Sequence, residues 1–189
     1  PRRYGLRQTI ADTLGIGGIF RALRTIPIML DFAGDMEKVC PGALFINYTN
    51  PMAMLTGAML RATPIKTVGL CHSVQAVVGH LSKSIGVDLR KKYPRLVTKV
   101  AGINHMAWLL EISSDGKDLY PMIKKKAAAI LAAEKAKRKA DHWDLVRLEM
   151  MMQFGYYVTE SSEHNAEYHP YFIKSRYPRL ISRYNIPLD

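Results

Sequence analysis

The chain has 189 residues and a formal net charge of +11, enough length to bury a core as one large or two small domains. No apolar run reaches the roughly 18–20 residues of a membrane span, no secretory signal opens the chain, and Cys40 and Cys71 make no disulfide framework, so the expected setting is the cytoplasm with no membrane partner. Much of the positive excess lies between Lys117 and Lys139, an Ala/Lys-rich stretch without interleaved aromatics, which reads as a solvated helix face rather than a nucleic-acid surface.

Residues 1–13 are polar and carry no clear pattern. Leu14-Gly15-Ile16-Gly17-Gly18 lacks a preceding β-branched strand and the G-x-G-x-x-G spacing, so it reads as a loop whose glycines allow close approach to a ligand or to another backbone. A helix is predicted from Ile28 to Val39, with Cys40 as an inert packing thiol at its end. Ala43–Tyr48 reads as a buried strand stopped by Thr49-Asn50-Pro51, and Pro51 suits the first turn of a helix over Met52–Leu60. Ile65–Leu70 is the next strand and Val74–Ser84 the next helix, an alternation that points to parallel βαβ units. After Leu96–Val100 and about Ala101 the character changes to a strand at Trp108–Ile112, a turn at Ser113–Gly116, and helices over Pro121–Lys139 and Asp144–Phe154. The fold class is α/β: the second half of a doubly wound sheet, followed by part of a helix-rich α+β domain. The expectation is an internal piece of a longer enzyme.

Two small polar motifs punctuate apolar runs. Cys71 lies in Gly69-Leu70-Cys71-His72-Ser73-Val74-Gln75, and His105 lies in Ala101-Gly102-Ile103-Asn104-His105-Met106. Each reads as a strand delivering a ligand-type side chain at its carboxyl end, where ligands collect in parallel α/β sheets. Thiolate plus imidazole suits a divalent transition metal with positions left open for substrate oxygens. The plainer alternative makes Cys71 a small buried hydrophobe and His105 a satisfied core histidine. Asn50 equally serves an Asx turn before Pro51, Asn104 a turn cap, and Asp12 a helix or turn cap. Glu160 and Glu163 offer a conventional acid/base pair, which leaves the cysteine and histidine without a purpose.

The motifs Asn47-Tyr48-Thr49-Asn50-Pro51-Met52-Ala53, Gly69-Leu70-Cys71-His72-Ser73-Val74 and Gly102-Ile103-Asn104-His105-Met106-Ala107 together closely resemble glycoside hydrolase family 4. The Cys-His-Ser-Val form and the segment Gly155–Tyr168 resemble its α-galactosidase branch. The resemblance implies a Rossmann-like, lactate/malate-dehydrogenase-like fold, with residues 1–101 as the C-terminal part of an NAD-binding domain and 102–189 as part of a catalytic domain. It implies NAD and manganese or another divalent metal as cofactors, and a route unlike that of two-carboxylate glycosidases. Hydride leaves the sugar C3 for NAD, the C2 proton is removed, the aglycone is eliminated, water adds at C1, and the hydride returns. Cys71 and His105 are the implied metal ligands. The resemblance implies that Asn50 contacts the sugar near the nicotinamide, and Asn104, beside His105, is expected to bind its hydroxyls. His72 stands where relatives carry an aspartate proposed as general acid. Tyr168 is the candidate C2 base, with His164 taking its place under a shifted alignment and Asp12 beside it. The implied partner is a small-molecule α-galactoside, and the implied assembly is a homodimer or tetramer. Alternatives are an α-glucuronidase or α-galacturonidase using Arg7, Arg21, Lys174 and Arg176 as a carboxylate clamp, a plain NAD-dependent dehydrogenase, and a non-enzymatic binding fragment.

Overall fold

The computed structural model describes residues 3, 5 and 7–188; the outer limits of the two expected domains, Pro1 and Asp189, lie outside them. The described residues fall into two compact units, Ala11–His72 and a larger one formed by the N-terminal residues through Ile10 together with the chain from Ser73 onward. Val77, Leu81, Ile85 and Leu89, which precede the expected boundary after Ala101, are buried in one cluster with Leu109, Ile112, Ile123 and Leu148. Among the described residues, no helix is long and apolar enough to cross a membrane.

In the smaller unit, α1 (Gly15–Val39) is followed by β1 (Leu44–Asn47), α2 (Met52–Ala62) and β2 (Lys66–Gly69). The strands pair in parallel with Leu44 opposite Lys66 and Asn47 opposite Gly69, the expected strand–helix–strand unit. Ala22, Met29 and Ala33 of α1 pack with Leu55 and Met59 of α2 and with Ile65. Two expectations change here. The glycine segment is the first turn of α1 rather than a loop, and Pro27 lies inside that helix. The glycines are needed all the same: a Cβ on Gly17 would lie 2.3 Å from the Ala11 carbonyl oxygen, and one on Gly18 would lie 2.7 Å from that of Thr13. β1 is not buried on both faces, since Leu44 and Ile46 are more than half exposed beside the single strand β2. Cys40 is exposed at the end of α1, not packed.

From Ser73 onward the larger unit holds α3 (His72–Ile85), whose first residue belongs to the smaller unit, and α4 (Leu89–Lys92), capped by the Asp88 carboxylate on the Lys91 N–H at 3.0 Å. A sheet follows: β3 (Leu96–Ile103), β4 (Met106–Ser114) and β5 (Lys117–Asp118), with β6 (Tyr157–Val158) on β4. All its pairings are antiparallel, so β3 does not continue the parallel sheet as expected. A register shift between Lys99 and Val100 leaves Leu110 opposite no partner. That bulge switches the alternation, so that Ala107 and Leu109 before it and Ile112 and Ser114 after it are all buried. The expected turn at 113–116 is the hairpin between β4 and β5, with Asp115 and Gly116 both at positive φ. The helices α5 (Tyr120–Ala136), α6 (Leu145–Phe154), α7 (Ser162–Tyr168) and α8 (Arg179–Arg183) complete the unit. The lysines at 125, 126, 135, 137 and 139 are exposed, as a solvated face requires.

Glu134, near the end of α5, ties down the loop that follows. Its carboxylate accepts from the Asp141 N–H at 2.9 Å and the His142 N–H at 3.3 Å, and pairs with Lys137. Burial pushes this carboxyl up, but the Lys137 ammonium and the two N–H groups outweigh it and hold it at about 2. A carboxyl held below its unfolded value stabilises the fold above the ordinary carboxylate range, and that contribution is lost as pH falls through about 2. Glu134→Gln is therefore expected to lower the thermal midpoint near pH 7 and to have a shrinking effect as pH drops from about 4 toward 2, read by thermal scans at stepped pH. Gly102 at φ +140° would place a Cβ 2.5 Å from the Ala107 Cα across the hairpin. Gly102→Ala is expected to destabilise by about 1–3 kcal/mol in urea titration.

Candidate active site

The β3–β4 hairpin brings Ile103 opposite Met106 and leaves Asn104 and His105 as its two-residue turn. His105 sits at φ +59°, and Gly102 just before the turn takes a φ of +140° that favours glycine. The turn drives the His105 side chain inward, where it is only 6% exposed. Both ring nitrogens are engaged. Nδ1 lies 3.0 Å from the Tyr168 hydroxyl, and Nε2 lies 3.2 Å from the Glu160 carboxylate. The His164 ring meets His105 edge-on, with centroids 4.8 Å apart, and the Tyr168 ring at 5.3 Å.

These partners arrive on one short stretch. β6 pairs with β4, Trp108 opposite Val158, and the Thr159 N–H donates to the Ala107 carbonyl at 2.9 Å. The chain then turns at Glu160 and enters α7, whose N-cap Ser161 accepts from the His164 N–H at 3.2 Å. His164 and Tyr168 are four residues apart on that helix and share one face. The Ser161 N–H holds one Glu160 oxygen at 2.9 Å, leaving the other directed at His105. Thr9 reaches the same helix, its hydroxyl 3.0 Å from the Glu163 carbonyl and 2.9 Å from the Glu167 carboxylate.

Imidazole nitrogen and carboxylate oxygen at this spacing suit a divalent transition metal, so His105 and Glu160 fit as two of its ligands. Asn104 adds a second sign of an absent guest. Both atoms of its amide are sealed from solvent and have no hydrogen-bond partner among the described residues. Such a group costs about 1–3 kcal/mol, and a sugar hydroxyl would satisfy it.

In the smaller unit, the parallel register sets the carboxyl ends of β1 and β2 side by side. The Asn47 side chain fixes that end by donating to Thr56 Oγ1 at 3.0 Å and accepting from the Thr49 N–H at 2.9 Å, while the Leu70 N–H donates to the Asn47 carbonyl at 2.9 Å. Asn50 and Cys71, both half-buried, follow from these two ends. His72 opens α3 with its ring 4.4 Å from that of Tyr48. Asp12 accepts from the Thr13 hydroxyl at 3.0 Å and lies 3.5 Å from Arg21, so Arg21 of the expected carboxylate clamp faces an acid of its own unit. In the larger unit, Lys174 lies over the Tyr177 ring and Arg176 lines a basic cleft with Lys137, Arg138 and Arg179.

The larger unit thus gathers His105, His164 and Tyr168, with Asn104 in the same turn. Glu160 was legible only as half of a conventional acid pair with Glu163. The signal for its actual place is the short strand Tyr157-Val158, which pairs beside the hairpin and delivers the next acidic side chain to the turn.

Two family models match the chain: Family 4 glycosyl hydrolase over residues 1–87 and the Family 4 glycosyl hydrolase C-terminal domain over residues 100–188. An α-galactosidase of Bacillus subtilis (strain 168) is 64% identical over 189 residues, 100% of this chain and 41% of that relative. The crystal structure of lplD from Bacillus subtilis superposes with a TM-score of 0.78 at 25% identity, covering 100% of this chain and 45% of that one. A 6-phospho-α-glucosidase from gut microorganisms, in complex with NAD and Mn2+, shares the fold with a TM-score of 0.63 at 22% identity, over 89% of this chain and 40% of that one. The chain spans less than half the length of each of these proteins. With both halves matched in order to one family, the chain belongs to family 4 of the glycosyl hydrolases.

Proposed function

We propose that a protein carrying this chain hydrolyses α-galactosides with NAD and a divalent metal such as Mn2+, through oxidation at C3 and elimination across C1 and C2. The observation that carries the reading is His105, held at Nε2 by a carboxylate and at Nδ1 by a tyrosine hydroxyl. The 64% identity to an α-galactosidase supports the sugar, and the relative complexed with NAD and Mn2+ supports the cofactors. When bound, NAD supplies reversible hydride acceptance at C3 and the cation supplies Lewis-acid stabilisation at the C2 and C3 oxygens.

The chain's own residues divide the remaining work. Cys71 and His105, with Glu160, would hold the cation. A cation held at Nε2 would leave the His105 proton on Nδ1, donated to the Tyr168 oxygen 3.0 Å away, and would fix ring and phenol together. Tyr168 removes the C2 proton, and His164, packed edge-on against both rings, excludes water from them. Asn104 binds a sugar hydroxyl with its sealed amide, and Asn50 binds the sugar near the nicotinamide. His72 gives a proton to the leaving oxygen, and Asp12 balances the charge around the base. The same reading places the enzyme in the cytoplasm as a dimer or tetramer, without nucleic-acid or membrane partners.

Deuteration at C2 of an aryl α-galactoside tests the route in the full-length protein supplied with NAD and Mn2+. A clear primary isotope effect on turnover is expected; its absence would mean direct displacement. In a substrate panel, preference for galacturonides would move the activity to a uronidase, and NADH accumulating with turnover would make it a dehydrogenase. EDTA is expected to abolish activity and added Mn2+ to restore it, whereas Cys71→Ser and His105→Ala are expected to remain inactive after Mn2+ addition and to lose Mn2+ binding by calorimetry.

A further inference from the structure

Beneath the Glu160 turn lies a fully buried ion pair that the proposed chemistry does not use. Asp144, just before α6, and Arg147, in its first turn, are both 0% exposed. One Asp144 oxygen accepts from Arg147 Nε and, at 3.1 Å, from the Ser162 hydroxyl, while the other accepts from the Tyr157 hydroxyl at 2.6 Å. Burial and the neighbouring Asp144 carboxylate push the Tyr157 phenol well up, so it stays a donor. Arg147 reaches the same segment twice more: Nη1 donates to the Thr159 carbonyl at 3.4 Å, and its backbone N–H donates to Ser162 Oγ at 3.3 Å. Asn165, also fully buried, donates from its amide to the Glu160 and Ser161 carbonyls, each at 2.9 Å.

Apart from the Asp144–Arg147 bond itself, every bond of this network therefore ends on the stretch from Tyr157 to Ser162, on either side of Glu160. A buried pair is a poor source of stability, since removing both charges from water offsets most of their attraction. This one is not even complete: among the described residues, Arg147 Nη2 has no hydrogen-bond partner. What the pair does provide is a fixed path for the backbone at Glu160, whose carboxylate lies 3.2 Å from His105 Nε2. We propose that Asp144 and Arg147 are positioning residues, which clamp the 159–162 turn so that Glu160 and His105 present their ligand atoms together to one divalent cation.

The inference rests on the proposed metal reading, and its test separates the two. Mn2+ affinity of the full-length protein is measured by electron paramagnetic resonance titration of free Mn2+, for the parent, Asp144→Asn, Ser162→Ala and a core truncation elsewhere in the unit, Leu81→Ala. Ser162→Ala removes one link of the clamp while leaving both charges paired, so it remains informative if Asp144→Asn fails to fold. The expected result is a Kd for Mn2+ raised by roughly 10–100-fold in the folded clamp variants, with Leu81→Ala unchanged in Kd despite a lower Tm. Folded clamp variants that bind as tightly as the parent, or a Leu81→Ala variant weakened to the same extent, would overturn the positioning role and leave the metal reading standing. A parent that binds no Mn2+ would overturn both.

Discussion

One imidazole with a different partner on each nitrogen is the constraint around which the larger unit is arranged. His105 can stand between Glu160 and Tyr168 only because a two-residue hairpin turn aims it inward and because β6 pairs beside that hairpin. The first condition depends on Gly102, whose φ and lack of a Cβ let the two strands close. The second depends on the antiparallel bonds of β6 and on the Thr159 N–H donated to Ala107. Tyr168 then follows from about two turns of helix after a serine cap. The positions of His105, Glu160 and Tyr168 are thus set mostly by backbone hydrogen bonds, with side chains completing the last few ångströms.

Unsatisfied polar atoms concentrate in the same place. Ser84, Asn104, Arg147, Thr159 and Asn165 each bury a side-chain donor or acceptor without a partner among the described residues, and all but Ser84 flank the turn or the segment that supports it. Each costs on the order of 1–3 kcal/mol. A core built only for stability would replace them with apolar groups; here most of them lie beside the His105 turn and the segment that carries Glu160. The hydrophobic cluster of Leu81, Leu109, Ile112, Ile123 and Leu148 supplies the offsetting burial.

Much of this was legible in the residues themselves. Local signals located α2, α3, α5 and α6 within a few residues, because Pro51, the helix periodicities and the Asp115-Gly116 turn act at short range. The motif around His105 singled out a histidine that the hairpin turn carries inward, yet the parallel-strand setting expected for it was wrong: a β-branched run says nothing about its partner's direction, and that partner, β4, follows immediately after the turn. The first turn of α1 was hidden by its own glycines, which lower helix propensity but are required by the approach of the Ala11 and Thr13 carbonyls. Glu160 was hidden for a different reason: its meeting with His105 joins residues 55 positions apart, and neither charge nor spacing encodes such a contact. Family resemblance could supply Cys71, His105 and Tyr168 but not the carboxylate.

The central claim is that His105 and Glu160 face a single cation, and anomalous scattering from crystals of the full-length protein soaked in Mn2+ tests it most directly. The account predicts a manganese peak within coordination distance of both His105 Nε2 and a Glu160 oxygen, with the Tyr168 hydroxyl still on Nδ1. A peak bound elsewhere, or a Glu160 carboxylate that stays hydrogen-bonded to His105 with manganese bound to neither, would contradict it.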